Sequence, residues 1–126
     1  MENTLTYNPK YFALSEFNCH ETNQNEMQPE FLERMDALRK ACGFPFVITS
    51  GYRSSNHTIE RNKEKAGTHA QGIAADIRAT TAAQKYEIVK QALALGFSGI
   101  GVASSFIHVD DRTAYDTTIT PVMWTY

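Results

Sequence analysis

The sequence has no apolar run long enough to cross a bilayer, no cysteine framework and no excess of either charge, and each absence removes a class of protein. Its two cysteines, Cys19 and Cys42, cannot staple a small secreted scaffold; they read as reduced thiols without a function of their own. A net charge of −2, from 12 basic and 14 acidic residues, leaves no broad footprint for nucleic acid or an anionic membrane. The opening MENTLTYNPK lacks a basic segment leading into an apolar stretch, so the expectation is a product made in the cytoplasm. No repeat, low-complexity tract or Pro/Gly/Ser-rich linker marks a boundary, and 126 residues predict one domain spanning 1–126.

What is present is an alternation of helix and strand patterns. QPEFLERMDALRKACG carries Pro29 in a first-turn position, Phe31, Leu32, Met35 and Leu38 at helical spacing, and Gly43 as a stop, which predicts the first helix. FPFVITSGYRS predicts a buried strand from Phe46 to Thr49, running into a turn at Ser50 and Gly51 that presents Tyr52 and Arg53. IAADIR predicts a strand with Ile73, Ala75 and Ile77 on one face and Ala74, Asp76 and Arg78 on the other. A second helix follows, with Thr80 or Thr81 as N-cap and Gly96 just past its end. SGIGVASSFIHVDDR predicts two short strands about a tight turn at Ser104 and Ser105; in the second, Phe106, His108 and Asp110 share a face opposite Ile107 and Val109. Beyond Arg112 the tail, with Pro121 and Trp124, reads as an extended segment laid over the domain.

The segment AGTHAQGIAADIR places His69 and Asp76 seven positions apart among small residues. Gly72 and the strand pattern behind it argue against a helix joining them, so the two converge only through a bend, which glycine permits. With His108 from the neighbouring strand the set becomes His, Asp, His. Two imidazoles and a carboxylate suit zinc, bound at about 2.0–2.2 Å, with three protein donors and a fourth position left for chemistry. Small neighbours let the backbone approach such an ion. Spacing alone leaves the plainer alternative of hydrogen-bonded core histidines.

Taken in order, SGYRSSNH, GTHAQGIAADI and GIGVASSFIHVDDR resemble the signatures of the zinc D-alanyl-D-alanine carboxypeptidase family, metallopeptidase family M15, which includes phage endolysins. The resemblance covers roughly residues 14–112. It implies an α+β fold, a small mainly antiparallel sheet with helices packed on one side and a zinc cleft on the other. It also implies one zinc per chain on His69, Asp76 and His108, and a substrate-binding role for Arg53. The substrates implied are peptidoglycan stem peptides, cut at an amide bond either as a carboxypeptidase or as an endopeptidase. The partners expected are those peptides alone, with no nucleic acid and no membrane, for a monomeric endolysin that reaches the wall after release. Hedgehog-like relatives, and virion parts of the same fold, keep open a zinc-containing module that does not hydrolyse.

One position departs from the pattern. Many relatives carry an Asp or Glu three residues before the last zinc histidine as general base, and here Ser105 stands there, unable to accept a proton at neutral pH. Asp110, on the same strand face as His108, is the candidate catalytic residue. It either takes the proton of the attacking water or bonds the outer nitrogen of a zinc histidine and orients it. The loop from Ser54 to Lys65 is the other place for a base. Asp111, on the opposite alternation, reads as a solvated charge or a partner for Arg112, Tyr52 as a residue packed at the cleft edge, and His57 as a loop residue within reach of substrate.

Overall fold

Alternation along IAADIR and FIHVD is what assembles the molecule. The computed structural model describes residues 7–54, 57 and 67–126. The strands are β1 (Ile48–Ser50), β2 (Ala74–Arg78), β3 (Gly99–Val102), β4 (Phe106–Asp110) and β5 (Val122–Thr125), joined in one sheet of order β1-β2-β4-β3-β5. All neighbours run antiparallel except β3 and β5, which are parallel. Ile77, Ile100, Ile107 and Val109, with Ile73 and Ala75, bury one face completely or nearly so. Against this face pack α1 (Pro29–Cys42) through Phe31, Leu32, Met35 and Leu38, and α2 (Ala82–Ala94) through Ile88 and Ala92. Burying side chains of this size contributes roughly 1.5–3 kcal/mol each, so the apolar face fixes which residues the other face shows. The fold is α+β, with a mostly antiparallel open sheet.

The helix punctuation follows the sequence. Pro29 opens α1, and Gly43 closes it in the left-handed conformation at φ 77°. Of the two threonines before α2, Thr81 is the cap, its hydroxyl accepting the Gln84 N–H at 3.1 Å. Cys19 is buried, Cys42 is half-buried, and both are free thiols.

Two expectations need correction here. The strand predicted over Phe46–Thr49 is shorter and shifted to Ile48–Ser50. Phe46 and Ile48 turn into the core while Val47 between them is half exposed, and the register shifts between Ile48 and Ser50. Among the described residues β1 is an edge strand with a single partner, so it alternates instead of being buried on both faces. The tail is more than an overlay: after a short helical turn, α3 (Arg112–Tyr115), it re-enters the sheet as β5 beside β3. The run Val122–Thr125 behind Pro121 carries the β-branched and aromatic content of a strand, which is the signal that would have placed it.

Gly72 is the hinge of the site-bearing turn. At φ 77° it lets the chain turn from His69 into β2, and its carbonyl accepts the Gln28 N–H at 2.9 Å, tying the turn to the start of α1. A Cβ there would overlap the Glu26 carbonyl oxygen, whereas one at Gly43 meets nothing within 4 Å. Gly43→Ala should therefore cost only the roughly 1–2 kcal/mol of a left-handed residue with a Cβ. Gly72→Ala should exceed that by at least about 1 kcal/mol, because a backbone oxygen cannot swing aside. Urea unfolding of both variants checks it, and equal losses would show that the turn relaxes.

Candidate metal centre

The register carries the sequence pattern into three dimensions. Asp76 pairs with His108 across β2 and β4, His108 with Gly101 across β4 and β3, and Gly101 with Trp124 across β3 and β5. On the other side Ser50 of β1 pairs with Asp76. A single row therefore crosses all five strands on the face away from the helices. His69 joins it from the 68–72 turn, which is held by Gly72 N–H to His69 O at 3.2 Å and Ile73 N–H to Thr68 O at 3.2 Å.

Asp76 Oδ1 is the meeting point. It lies 3.4 Å from His69 Nε2 and 3.0 Å from His108 Nδ1. The three side chains are buried, and their ligating atoms all lie within 4.8 Å of one another. The outer nitrogen of each ring is occupied. His69 Nδ1 is 2.8 Å from the Gly51 carbonyl, which can only accept, so that nitrogen carries a proton. His108 Nε2 donates to Asp110 Oδ2 at 2.7 Å. With those protons assigned, neutral rings would turn two bare lone pairs toward a carboxylate oxygen. The arrangement calls for positive charge in the middle, either further protons on the rings or one metal ion. A divalent cation taken by two nitrogens and one oxygen satisfies all three at once, so the residues present fit zinc.

The charges are tuned in the same direction. Burial alone pushes the Asp76 carboxyl up, but the hydrogen bonds from His108 and His69 outweigh it and hold it at about 2. Burial likewise disfavours the charged form of His108, yet its bonds to Asp110 and Asp76 raise its pKa overall. Asp110 is fully buried and is also held at about 2, burial being overcome by His108 and Arg112. The Arg112 guanidinium grips Asp110 through Nε at 3.1 Å and Nη2 at 2.8 Å, and the Arg112 backbone N–H donates to Oδ1 at 2.9 Å. Asp110 also fills the space that a side chain at Gly99 would need.

The other predicted residues fall as follows. Arg53 is half-buried just beyond β1; its N–H donates to His69 O at 3.2 Å and its Nη2 to Ser50 Oγ at 3.4 Å, beside Asp76 in the cross-strand row. Tyr52 is buried in the core. Ser105 is exposed in the β3–β4 turn. His57 is half-buried with Nε2 3.4 Å from Glu21 Oε2. Within the loop from Ser54 to Lys65, residues 55, 56 and 58–65 lie outside the described residues.

Asp111 corrects an expectation. It is buried rather than solvated and pairs with Arg34 at 2.8 Å rather than with Arg112, because the chain leaves β4 there and turns the side chain toward α1. Arg34 also stacks on Phe97 at 4.6 Å. The pair lines an open cavity of about 650 Å³, shared with Ser98 and Tyr115, to which none of His69, Asp76 and His108 contributes. Two residues were missed in the sequence: Arg112, as the partner of Asp110, and Trp124, whose ring lies 5.1 Å from that of His108.

An α+β fold whose sheet gathers two imidazoles and a carboxylate in one buried cluster, each ring braced from behind, defines a protein with a centre that could hold a metal ion. The peptidase M15 family profile matches residues 10–110, and the chain belongs to that family, whose members are metallopeptidases. A search among curated proteins finds no match.

Burial pushes the Asp111 carboxyl above its usual range, and Arg34 offsets this only in part. Arg34→Met keeps an apolar stem but removes the cation, and at pH 7 should destabilise by about 1–3 kcal/mol by stranding a buried carboxylate. Without Arg34 the folded-state pKa rises further, so the deficit is full above that raised value and fades as pH falls to the parent's own folded-state pKa, itself above the usual carboxylate value of about 4. Thermal melts of variant and parent from pH 7 to pH 4 check this; a constant gap would assign the loss to packing on Phe97.

Proposed function

We propose that this protein is a zinc-dependent peptidase that hydrolyses an amide bond in the peptidoglycan stem peptide. In this reading it serves as a phage or prophage endolysin, made in the cytoplasm and acting on the wall as a monomer after release. The observation that carries the reading is the convergence of His69 Nε2, Asp76 Oδ1 and His108 Nδ1. Membership of the M15 family supports a peptide substrate. The resemblance of SGYRSSNH, GTHAQGIAADI and GIGVASSFIHVDDR to D-alanyl-D-alanine carboxypeptidases and endolysins supports the wall peptide.

His69, Asp76 and His108 would hold the ion. When bound, zinc supplies Lewis acidity, polarising a scissile carbonyl and easing loss of a proton from water. The Gly51 carbonyl keeps His69 in the tautomer that offers Nε2, and Asp110 does the same for Nδ1 of His108. Arg53, on the Ser50 and His69 side of the cluster, would fix a substrate carbonyl or carboxylate through its planar fork. Of the two roles open to Asp110, the geometry favours orientation of His108: a carboxylate with no exposed surface and hydrogen bonds from three donor atoms of Arg112 is poorly placed to collect a proton from water. A second reading, a zinc-holding module without hydrolysis, is favoured by that same commitment of Asp110 together with serine at position 105.

A zymogram on purified peptidoglycan tests the reading. Clearing should vanish with chelator and return with zinc, protein purified without added metal should hold one zinc per chain, and His69→Ala and His108→Ala should lose it. Arg53→Lys should keep the zinc and lose turnover. Bound zinc without clearing would select the non-hydrolytic module, and undiminished zinc in the histidine variants would refute the ligand set.

Asp110→Asn separates its two roles. An orienting Asp110 predicts zinc affinity weaker by roughly 10–100-fold, with activity recovered in excess zinc. Full zinc occupancy with turnover down about 100-fold or more would instead make Asp110 the base.

A further inference from the structure

The family match ends at Asp110, yet two residues beyond it complete the surroundings of the metal-ligating cluster. Trp124 occupies the end of the cross-strand row, opposite Gly101. A Cβ at Gly101 would stand 2.7 Å from Trp124 Nε1 and 2.8 Å from its Cε2, so the indole lies directly over that glycine and extends toward β4. There it meets two partners. Its ring centroid is 5.1 Å from the His108 ring, and the Arg112 guanidinium lies 4.9 Å from the indole centroid. Arg112 in turn holds Asp110, and Asp110 accepts the His108 Nε2 proton. Trp124 thus touches both ends of the chain Arg112, Asp110, His108.

We propose that Trp124 is a positioning residue for the metal site, clamping the His108 ring and the Arg112 guanidinium so that Asp110 keeps Nδ1 of His108 aimed at Asp76. The proposal rests on the reading of His69, Asp76 and His108 as zinc ligands. Two physical effects produce the clamp. The indole face attracts the guanidinium, and its bulk covers an ion pair of which Arg112 is about a quarter exposed, raising the local strength of that pair. The tilted contact with imidazole, the two ring planes 49° apart, removes ring rotation that zinc binding would otherwise have to freeze. The route to the ion runs through hydrogen bonds to the outer nitrogen of a ligand, the kind of support whose loss weakens metal affinity by roughly 10–100-fold.

The experiment is a zinc competition titration on the full chain at a temperature where every variant is folded. Trp124→Ala and Arg112→Met should each bind zinc about 10-fold or more weakly, and the double variant no more weakly than the worse single, because both act through Asp110. Trp124→Phe should retain most of the affinity. Met123→Ala, an exposed neighbour on the same strand, should match the parent even where it lowers the melting temperature. Should Trp124→Ala fail to fold, Trp124→Leu takes its place, keeping apolar bulk without a ring face. Parent-like affinity in Trp124→Ala or Trp124→Leu overturns the proposal, and so do losses that add in the double variant. A metal-free readout keeps the two readings apart: the proton on His108 Nε2 should give a slowly exchanging downfield NMR signal in the parent that is lost in Trp124→Ala. A parent that binds no zinc refutes the metal centre, while that signal still decides whether Trp124 holds the ring.

Discussion

One cross-strand row, Ser50, Asp76, His108, Gly101 and Trp124, is the constraint on which the rest of the molecule depends. Side chains alternate along a strand, so once Ile77, Ile107 and Val109 are committed to the helices, Asp76 and His108 must share the opposite face. Pairing then brings the two side chains together with no further specification. A shift of register by a single residue would send both into the apolar core, where neither charge could be met. The hydrophobic effect that builds the core therefore also sets Asp76 and His108 side by side.

What the row cannot do is set ring orientation, and that falls to groups behind it. His69 is braced by a backbone carbonyl and His108 by a carboxylate. The difference has an electrostatic consequence. A carbonyl places no net charge behind its imidazole, while the buried Asp110 sets a negative charge behind His108. That charge could not stand alone in the interior; Arg112, two residues on, neutralises it. Asp110 and Asp111 are adjacent, yet they hold separate cations, Arg112 and Arg34, on opposite sides of the chain. The strand alternation separates two like charges that would otherwise compete for the same partner.

Legibility in the sequence followed the range of the physics. Both helices, the faces of β2 and β4 and the bend at Gly72 were readable because each is decided by residues close in sequence: periodicity, a cap, a positive φ. The convergence of His69, Asp76 and His108 was readable because the same alternation fixes two of the three. β1 was misjudged because apolar residues at an edge give the same local signal as a buried strand, and only the number of partners tells them apart. Asp111 was misjudged because its partner Arg34 lies on α1, seventy-seven positions away. β5 escaped for a related reason: a parallel pair with β3 requires a long return of the chain, and no hairpin signal announces it.

β3 shows where the fold gives way to the site. Gly99 and Gly101 are two of its four residues, both on the ligand face, between β4 on one side and β5 on the other. Each glycine in a strand forfeits roughly 0.5–1 kcal/mol of stability and offers no side chain to pack. In return the empty positions are filled from the neighbours: the Asp110 carboxylate lies over Gly99 and the Trp124 indole over Gly101. A strand of ordinary β-formers would fit the sheet better but would push both groups off the face. Local departures of this kind, in a chain whose other elements obey their patterns, mark the places where something besides stability shaped the structure. Here they lie directly beside His108, so the weakest strand by composition is the one that makes room for the bracing of the candidate metal cluster.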